Sequence, residues 1–146
     1  MRSLRSLFRR RDKTTGRSGP RVSYAPVADG RPDPGEVVWA WVAFEDDPRR
    51  GKDRPVLLVG RDGEHLLGLM LTSKDHDRDA AQEAHWGRYW MDVGTGGWDR
   101  ERRPSEVRLD RLLRLQAAEV RREGAALDQA VFDQVVAQAR RHHALD

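Results

Sequence analysis

Gly35-Glu36-Val37-Val38-Trp39-Ala40-Trp41-Val42-Ala43-Phe44 is rich in β-branched and aromatic residues and reads as a strand. Glu45 to Asp53 is charged and holds Pro48 and Gly51, so it reads as a polar loop. Arg54-Pro55 then opens a second strand over Val56 to Val59, with the proline at a position where a ladder donor is least needed. Arg61-Asp62-Gly63-Glu64 carries the Asp-Gly signature of a tight hairpin and leads to a third strand from Leu66 to Leu71. A loop from Thr72 to about Trp86 follows, then a short strand around Tyr89 to Val93, ended by Gly94-Thr95-Gly96-Gly97. Ser105 to Leu109 is a further strand, and Leu112, Leu113 and Leu115 prolong the apolar pattern.

Towards the C-terminus the period changes. Leu127, Val131, Val135 and Ala139 recur every fourth residue, the spacing of one buried helix face. Asp128 suits the N-cap, Leu127 and Phe132 stand where a hydrophobic staple would close, and Arg140 and Arg141 suit the negative end of the helix dipole. Short strands joined by glycine-rich turns and followed by one helix predict a mainly β fold: a small β-barrel with a C-terminal helix packed on it. His142-His143 reads as a frayed end.

Upstream of Gly35 the texture is different. Met1 to Arg21 holds eight basic residues against one acid, a charge of +7, so with a net charge of +3 the remainder carries −4. Gly16, Ser18, Gly19, Pro20, Pro26, Gly30, Pro32 and Pro34 then read as linker. Leu4, Leu7 and Phe8 would share one helical face among arginines, the pattern of a short anchor for RNA or an anionic membrane surface. The stripe spans barely two turns before Gly and Ser, which favours a solvated, disordered tail. Residues 1–34 are therefore expected to be a disordered leader, dispensable for folding, and 35–146 one domain.

Composition narrows the function. With no cysteine among 146 residues, neither disulfides nor a thiolate metal site is available. No apolar run is long enough to span a bilayer, and the basic N-terminus lacks the apolar stretch of a secretion signal. The default address is the cytoplasm, with no membrane association expected of the body. A mildly acidic body is no general electrostatic trap for nucleic acid, so any RNA site must be a local cluster. Lys74-Asp75-His76-Asp77 looks like a ligand set, but neighbours alternate in direction and no partner ligands stand at known spacing. It reads as a solvated loop, and no metal or other cofactor is expected. Trp39 and Trp41 share a strand face and read as core, whereas Trp86, Trp90 and Trp98 flank glycine-rich loops where one could stack a base.

Taken in order, Gly35-Glu36-Val37-Val38-Trp39, the loop ending Gly51-Lys52-Asp53, Arg54-Pro55-Val56-Leu57-Leu58-Val59, Leu69-Met70-Leu71-Thr72-Ser73 and Ser105-Glu106-Val107-Arg108-Leu109-Asp110 resemble the MazF/PemK (Kid-like) toxins. The likeness runs from about Gly35 to Ala139. It implies an SH3-like barrel, a homodimer, and sequence-selective, metal-independent cleavage of single-stranded RNA. It also implies a small acidic antitoxin that covers the RNA groove. Carried over by position, Arg54 matches the family's catalytic arginine and Thr72 its catalytic threonine.

That assignment makes chemical sense. Attack by a ribose 2′-OH needs a donor fork for the phosphate and groups that move protons, which arginine and a hydroxyl or carboxylate supply. Asp53, Ser73, Asp75, His76, Arg49 and Lys52 are the further candidates for proton transfer or RNA contact. The chain departs from the family at Arg49, where an acid is common, and at Arg111, where glutamine is common. A different class of function stays open: a non-catalytic RNA- or protein-binding barrel that keeps the fold.

Overall fold

The computed structural model describes residues 19–27, 30–73 and 89–146. Its strands are β1 (Arg21–Val22), β2 (Glu36–Phe44), β3 (Asp47–Asp62), β4 (His65–Ser73), β5 (Trp90–Gly94), β6 (Ser105–Arg108), β7 (Leu113–Leu115) and β8 (Val120–Ala126), followed by helix α1 (Gln129–Ala139). All pairings are antiparallel in the order β5-β6-β4-β3-β2-β8, with β1 added to β3 and β7 to β4. The sheet coils like a barrel but is not closed, since β5 and β8 remain as its ends. The expected mainly β architecture with a C-terminal helix is what forms.

The apolar runs of β3 and β4 are continuous rather than alternating because both sheet faces are covered. Val37, Leu57, Val59, Leu67, Leu69 and Leu71 pack with Trp98, Val107 and the helix residues Phe132, Val135, Val136 and Ala139. The opposite set, Val38, Ala40, Val42, Val56, Leu58, Leu66 and Met70, is roofed by Leu115 with Leu113 and Val120. The β3–β4 hairpin turns through Gly63-Glu64, with Asp62 paired to His65. Gly63 has φ +63°, a first central residue that needs glycine-like freedom. Helix α1 starts as read: Asp128 accepts a hydrogen bond from the Ala130 amide at 3.1 Å, and Leu127 and Phe132 are buried beside it.

Several expectations change. The polar loop from Glu45 to Asp53 is mostly strand, because β3 begins at Asp47 and pairs back along β2 as far as Phe44. This arm of the hairpin is largely exposed on both faces, so it carries no period-2 signal to read. Strand β8 went unread for a related reason. It is an end strand with charged residues, and its pairing with β2 is interrupted by two register shifts. Trp41 is not core: it is 44% exposed, while Trp39 is half-buried.

Both termini of the body are tied down. Within the described part of the stretch expected to be leader, β1 pairs with Arg61 and Gly60 of β3. The ring of Tyr24 lies 5.0 Å from that of Phe132, and its hydroxyl donates to the Leu127 carbonyl at 2.7 Å. Gly60 permits the approach, since a Cβ there would collide with the Arg21 carbonyl oxygen. The C-terminal end is not frayed either. Asp146 exchanges backbone hydrogen bonds with Pro20 and Val22, Leu145 is buried, and a His143 ring nitrogen lies 2.9 Å from the Leu109 carbonyl.

Candidate active site

The site arises where two strands part. The β3–β4 ladder ends at the pair Val56–Met70. Upstream of Val56, β3 continues hydrogen-bonded to β2, with Pro55 opposite Trp39 and Arg54 opposite Ala40. Beyond Met70, β4 continues on β6, with Thr72 opposite Glu106 and Ser73 opposite Ser105. The strands therefore splay, and the register count of the ladder continued by two residues sets Arg54 across from Thr72. Between them opens a cleft of about 190 Å³, lined by Lys52, Asp53, Arg54, Pro55, Leu71, Thr72 and Ser73 together with Trp39, Trp98, Asp99, Arg103 and Ser105.

Five of the residues singled out from the sequence thus meet in one place: Lys52, Asp53, Arg54, Thr72 and Ser73. Arg54, Thr72 and Ser73 are half-buried, and Lys52 and Asp53 are exposed at the mouth. The Asp53 carboxylate also stands 3.8 Å from the Arg121 guanidinium. Arg49 is not among the lining residues; its side chain is 92% exposed and its guanidinium faces Asp47 at 3.5 Å. Asp75, His76 and Trp86 lie outside the described residues. Among the described residues, no cluster of three or more His, Cys, Asp or Glu is grouped to hold a metal ion.

The far wall was not anticipated. Trp98 is 4% exposed, so it is core rather than a stacking platform, and its indole N–H donates to the Ser105 hydroxyl at 3.2 Å. The Trp39 indole N–H donates to the Trp98 carbonyl at 3.0 Å, which ties β2 to the β5–β6 loop. Buried Asp99 accepts from Arg103 Nε at 2.9 Å and Nη2 at 3.4 Å, and from the Glu101 amide at 2.9 Å. Burial alone would push its carboxyl up, but the Arg103 hydrogen bonds, the Glu101 amide and the Arg103 charge outweigh it and hold it below the ordinary carboxylate range. Asp99 is therefore an anion at neutral pH. The one hint in the sequence was an acid and a base four residues apart after Gly96-Gly97-Trp98, a spacing with no meaning until the loop's shape is known.

The late-strand motif Ser105 to Asp110 has a structural job. Arg108, buried in β6, donates to Asp110 (Nε to Oδ1, 2.6 Å) and to Glu45 at the tip of the β2–β3 hairpin (Nη1 to Oε1, 2.7 Å). Arg111, where glutamine is common in the resembling family, donates through Nη2 to the Ala43 carbonyl at 2.8 Å. Both anchor the β2–β3 hairpin, whose second arm carries Lys52, Asp53 and Arg54.

A family model described as PemK-like, MazF-like toxin of type II toxin–antitoxin system matches residues 33–143. The chain belongs to this family. The match covers β2 through α1, so every lining residue of the cleft lies within it. Toxins of this family are generally endoribonucleases, and membership implies an antitoxin partner. No curated protein matches the chain closely enough to count as a relative. No helix among the described residues is long and apolar enough to cross a membrane.

Proposed function

We propose that this PemK-like protein is a sequence-selective, metal-independent endoribonuclease that cuts single-stranded RNA in the cleft between β3 and β4. The observation that carries the reading is the splay that puts Arg54 and Thr72 on the two walls of one cleft, with Lys52, Asp53 and Ser73 beside them. Arg54 holds the non-bridging oxygens of the scissile phosphate and stabilises the charge that grows on them. The 2′-oxygen attacks phosphorus, the bond to the 5′-oxygen breaks, the departing oxygen takes a proton from water, and a 2′,3′-cyclic phosphate and a 5′-hydroxyl remain. Thr72 orients the phosphate, and Asp53 is the described carboxylate at the mouth able to take up the 2′-OH proton. None of these steps calls for a metal.

The protein acts as a homodimer in the cytoplasm, and its antitoxin is a small acidic protein that covers the cleft. The basic lining of Lys52, Arg54 and Arg103 supports an acidic occupant.

The test is cleavage of mixed-sequence single-stranded RNA in EDTA. Wild type cuts; Arg54→Ala retains its fold and loses on the order of 10²–10³ in rate, as removal of a preorganised oxyanion donor does. Arg54→Lys recovers little, because the charge returns without the fork, and Thr72→Ala is slower than wild type. Cutting only with added metal, or equal cutting by Arg54→Ala, refutes the mechanism. Binding of RNA with no cutting by wild type makes the protein a non-catalytic RNA-binding barrel.

A further inference from the structure

Beside the phosphate-sized cleft lies a roomier one of about 460 Å³, lined by Trp39, Gly97, Trp98, Asp99, Arg100, Glu101, Arg103 and Gly124. The two share Trp39, Trp98, Asp99 and Arg103, so they adjoin along the β5–β6 loop. Their charges differ. The first is lined by three cations (Lys52, Arg54, Arg103) and two acids (Asp53, Asp99), the second by two cations (Arg100, Arg103) and two acids (Asp99, Glu101). An excess of positive charge suits a phosphate. A neutral lining of paired donors and acceptors beside an aromatic ring suits an uncharged ring with polar edges, and its volume lies in the range of ligand pockets.

We propose that this second cleft is a nucleobase pocket next to the cut, that it selects guanine, and that Arg103, aimed by Asp99, reads the base. The inference rests on the endoribonuclease reading of the adjoining cleft and assigns its sequence selectivity. Trp39 is half-buried, and its indole is pinned by the bond to the Trp98 carbonyl, so a base meets a fixed ring. The Arg103 side chain is 43% exposed, and Asp99 grips Nε and Nη2 from behind, which fixes the plane of the guanidinium. A fixed guanidinium matches the O6 and N7 acceptors of guanine and meets the N6 donor of adenine badly. The Glu101 carboxylate, 74% exposed on the same lining with Oε1 3.8 Å from Arg103 Nε, has a further oxygen to accept from the N1–H and N2–H donors that guanine also presents. Uracil and cytosine present smaller faces with fewer matching groups. Asp99 acts through Arg103 and is a positioning residue.

The experiment measures binding, by fluorescence anisotropy, of short oligouridylates that carry one guanosine, adenosine or cytidine and 2′-deoxy sugars throughout, so that no cutting occurs. Cut sites in a randomised single-stranded RNA are sequenced in parallel. Wild type binds the guanosine probe on the order of tenfold to a hundredfold more tightly than the others, and its cut sites adjoin guanosine. Arg103→Gln reduces that ratio to about twofold or less; Arg54→Ala leaves the ratio intact while cutting falls on the order of 10²–10³. Asp99→Asn weakens the ratio although Arg103 keeps its charge. Because Arg103→Gln leaves a buried carboxylate, the double variant Asp99→Asn/Arg103→Gln, an amide pair of similar shape, is measured beside it. No guanosine preference in wild type, or a preference that survives both Arg103 variants, overturns the base pocket. If wild type still cuts in that case, the endoribonuclease reading stands alone; if it neither binds nor cuts any RNA, both fall.

Discussion

The Tyr24 side chain offers the sharpest test of how the folded unit is bounded. Its hydroxyl donates to the carbonyl of Leu127, the residue before the helix cap, and its ring packs at 57° against Phe132 in the first turns of α1. Tyr24→Phe removes one neutral hydrogen bond and leaves a part-buried carbonyl to find water, at a cost of about 1 kcal/mol. Tyr24→Ala also removes the half-buried ring. Truncating a fully buried aromatic costs roughly 3–5 kcal/mol, so about 2–4 kcal/mol is expected for this ring, its tilted contact with Phe132 included. At roughly 3–4 °C per kcal/mol for a chain of this size, the melting midpoint falls by about 3–4 °C for Tyr24→Phe and by roughly 6–16 °C for Tyr24→Ala. Differential scanning calorimetry at neutral pH measures both. Deletion of Met1 to Arg31 should cost at least as much as Tyr24→Ala, because it also removes β1 and its bonds to Asp146. A midpoint within a degree of wild type for Tyr24→Ala would refute the view that this segment belongs to the fold.

Acid should loosen the hairpin anchor. Burial raises the Asp110 carboxyl, but the Arg108 hydrogen bond and charge outweigh it and the net shift is downward. Stability from this pair is complete above the unfolded carboxylate value of about 3.9 and is lost as pH falls through the lower folded value. Asp110→Asn should therefore be less stable than wild type at pH 7 and show a shallower loss on acidification below about pH 4; identical slopes would refute the assignment. Sedimentation at micromolar concentration should report twice the 16.7 kDa chain mass, and a clean monomer would count against the homodimer. Trp41, 44% exposed, is the large aromatic expected to be covered by such pairing, so Trp41→Ala should weaken the dimer; unchanged association would place the interface elsewhere.

The mainly β class and the C-terminal helix were legible without coordinates because each rests on local chemistry. The apolar run of β2, the Gly63-Glu64 turn between two buried runs, and the Asp128 cap before a four-residue period all express backbone preferences over a few residues. Arg54 and Thr72 were singled out through the order of motifs around them, and their place on one cleft followed from the hairpin register, although Arg54 lies inside β3 and not at its start. What required the tertiary structure is non-local. Strand β1 has only two residues and Tyr24 sits among prolines and glycines, so nothing nearby marks them as bound; their partners Gly60, Phe132 and Leu127 lie far along the chain. The charged arm of β3 lacks alternation because it buries neither face, and the end strand β8 breaks its register with β2 twice. The second cleft depends on a loop before β6 brought against β2 by one indole hydrogen bond, a contact between Trp39 and Trp98 that is 59 residues apart in sequence. Local preferences decide the segments that bury an apolar face; the polar strands, and which strand ends meet to form the cleft, are decided by the packing of the whole sheet.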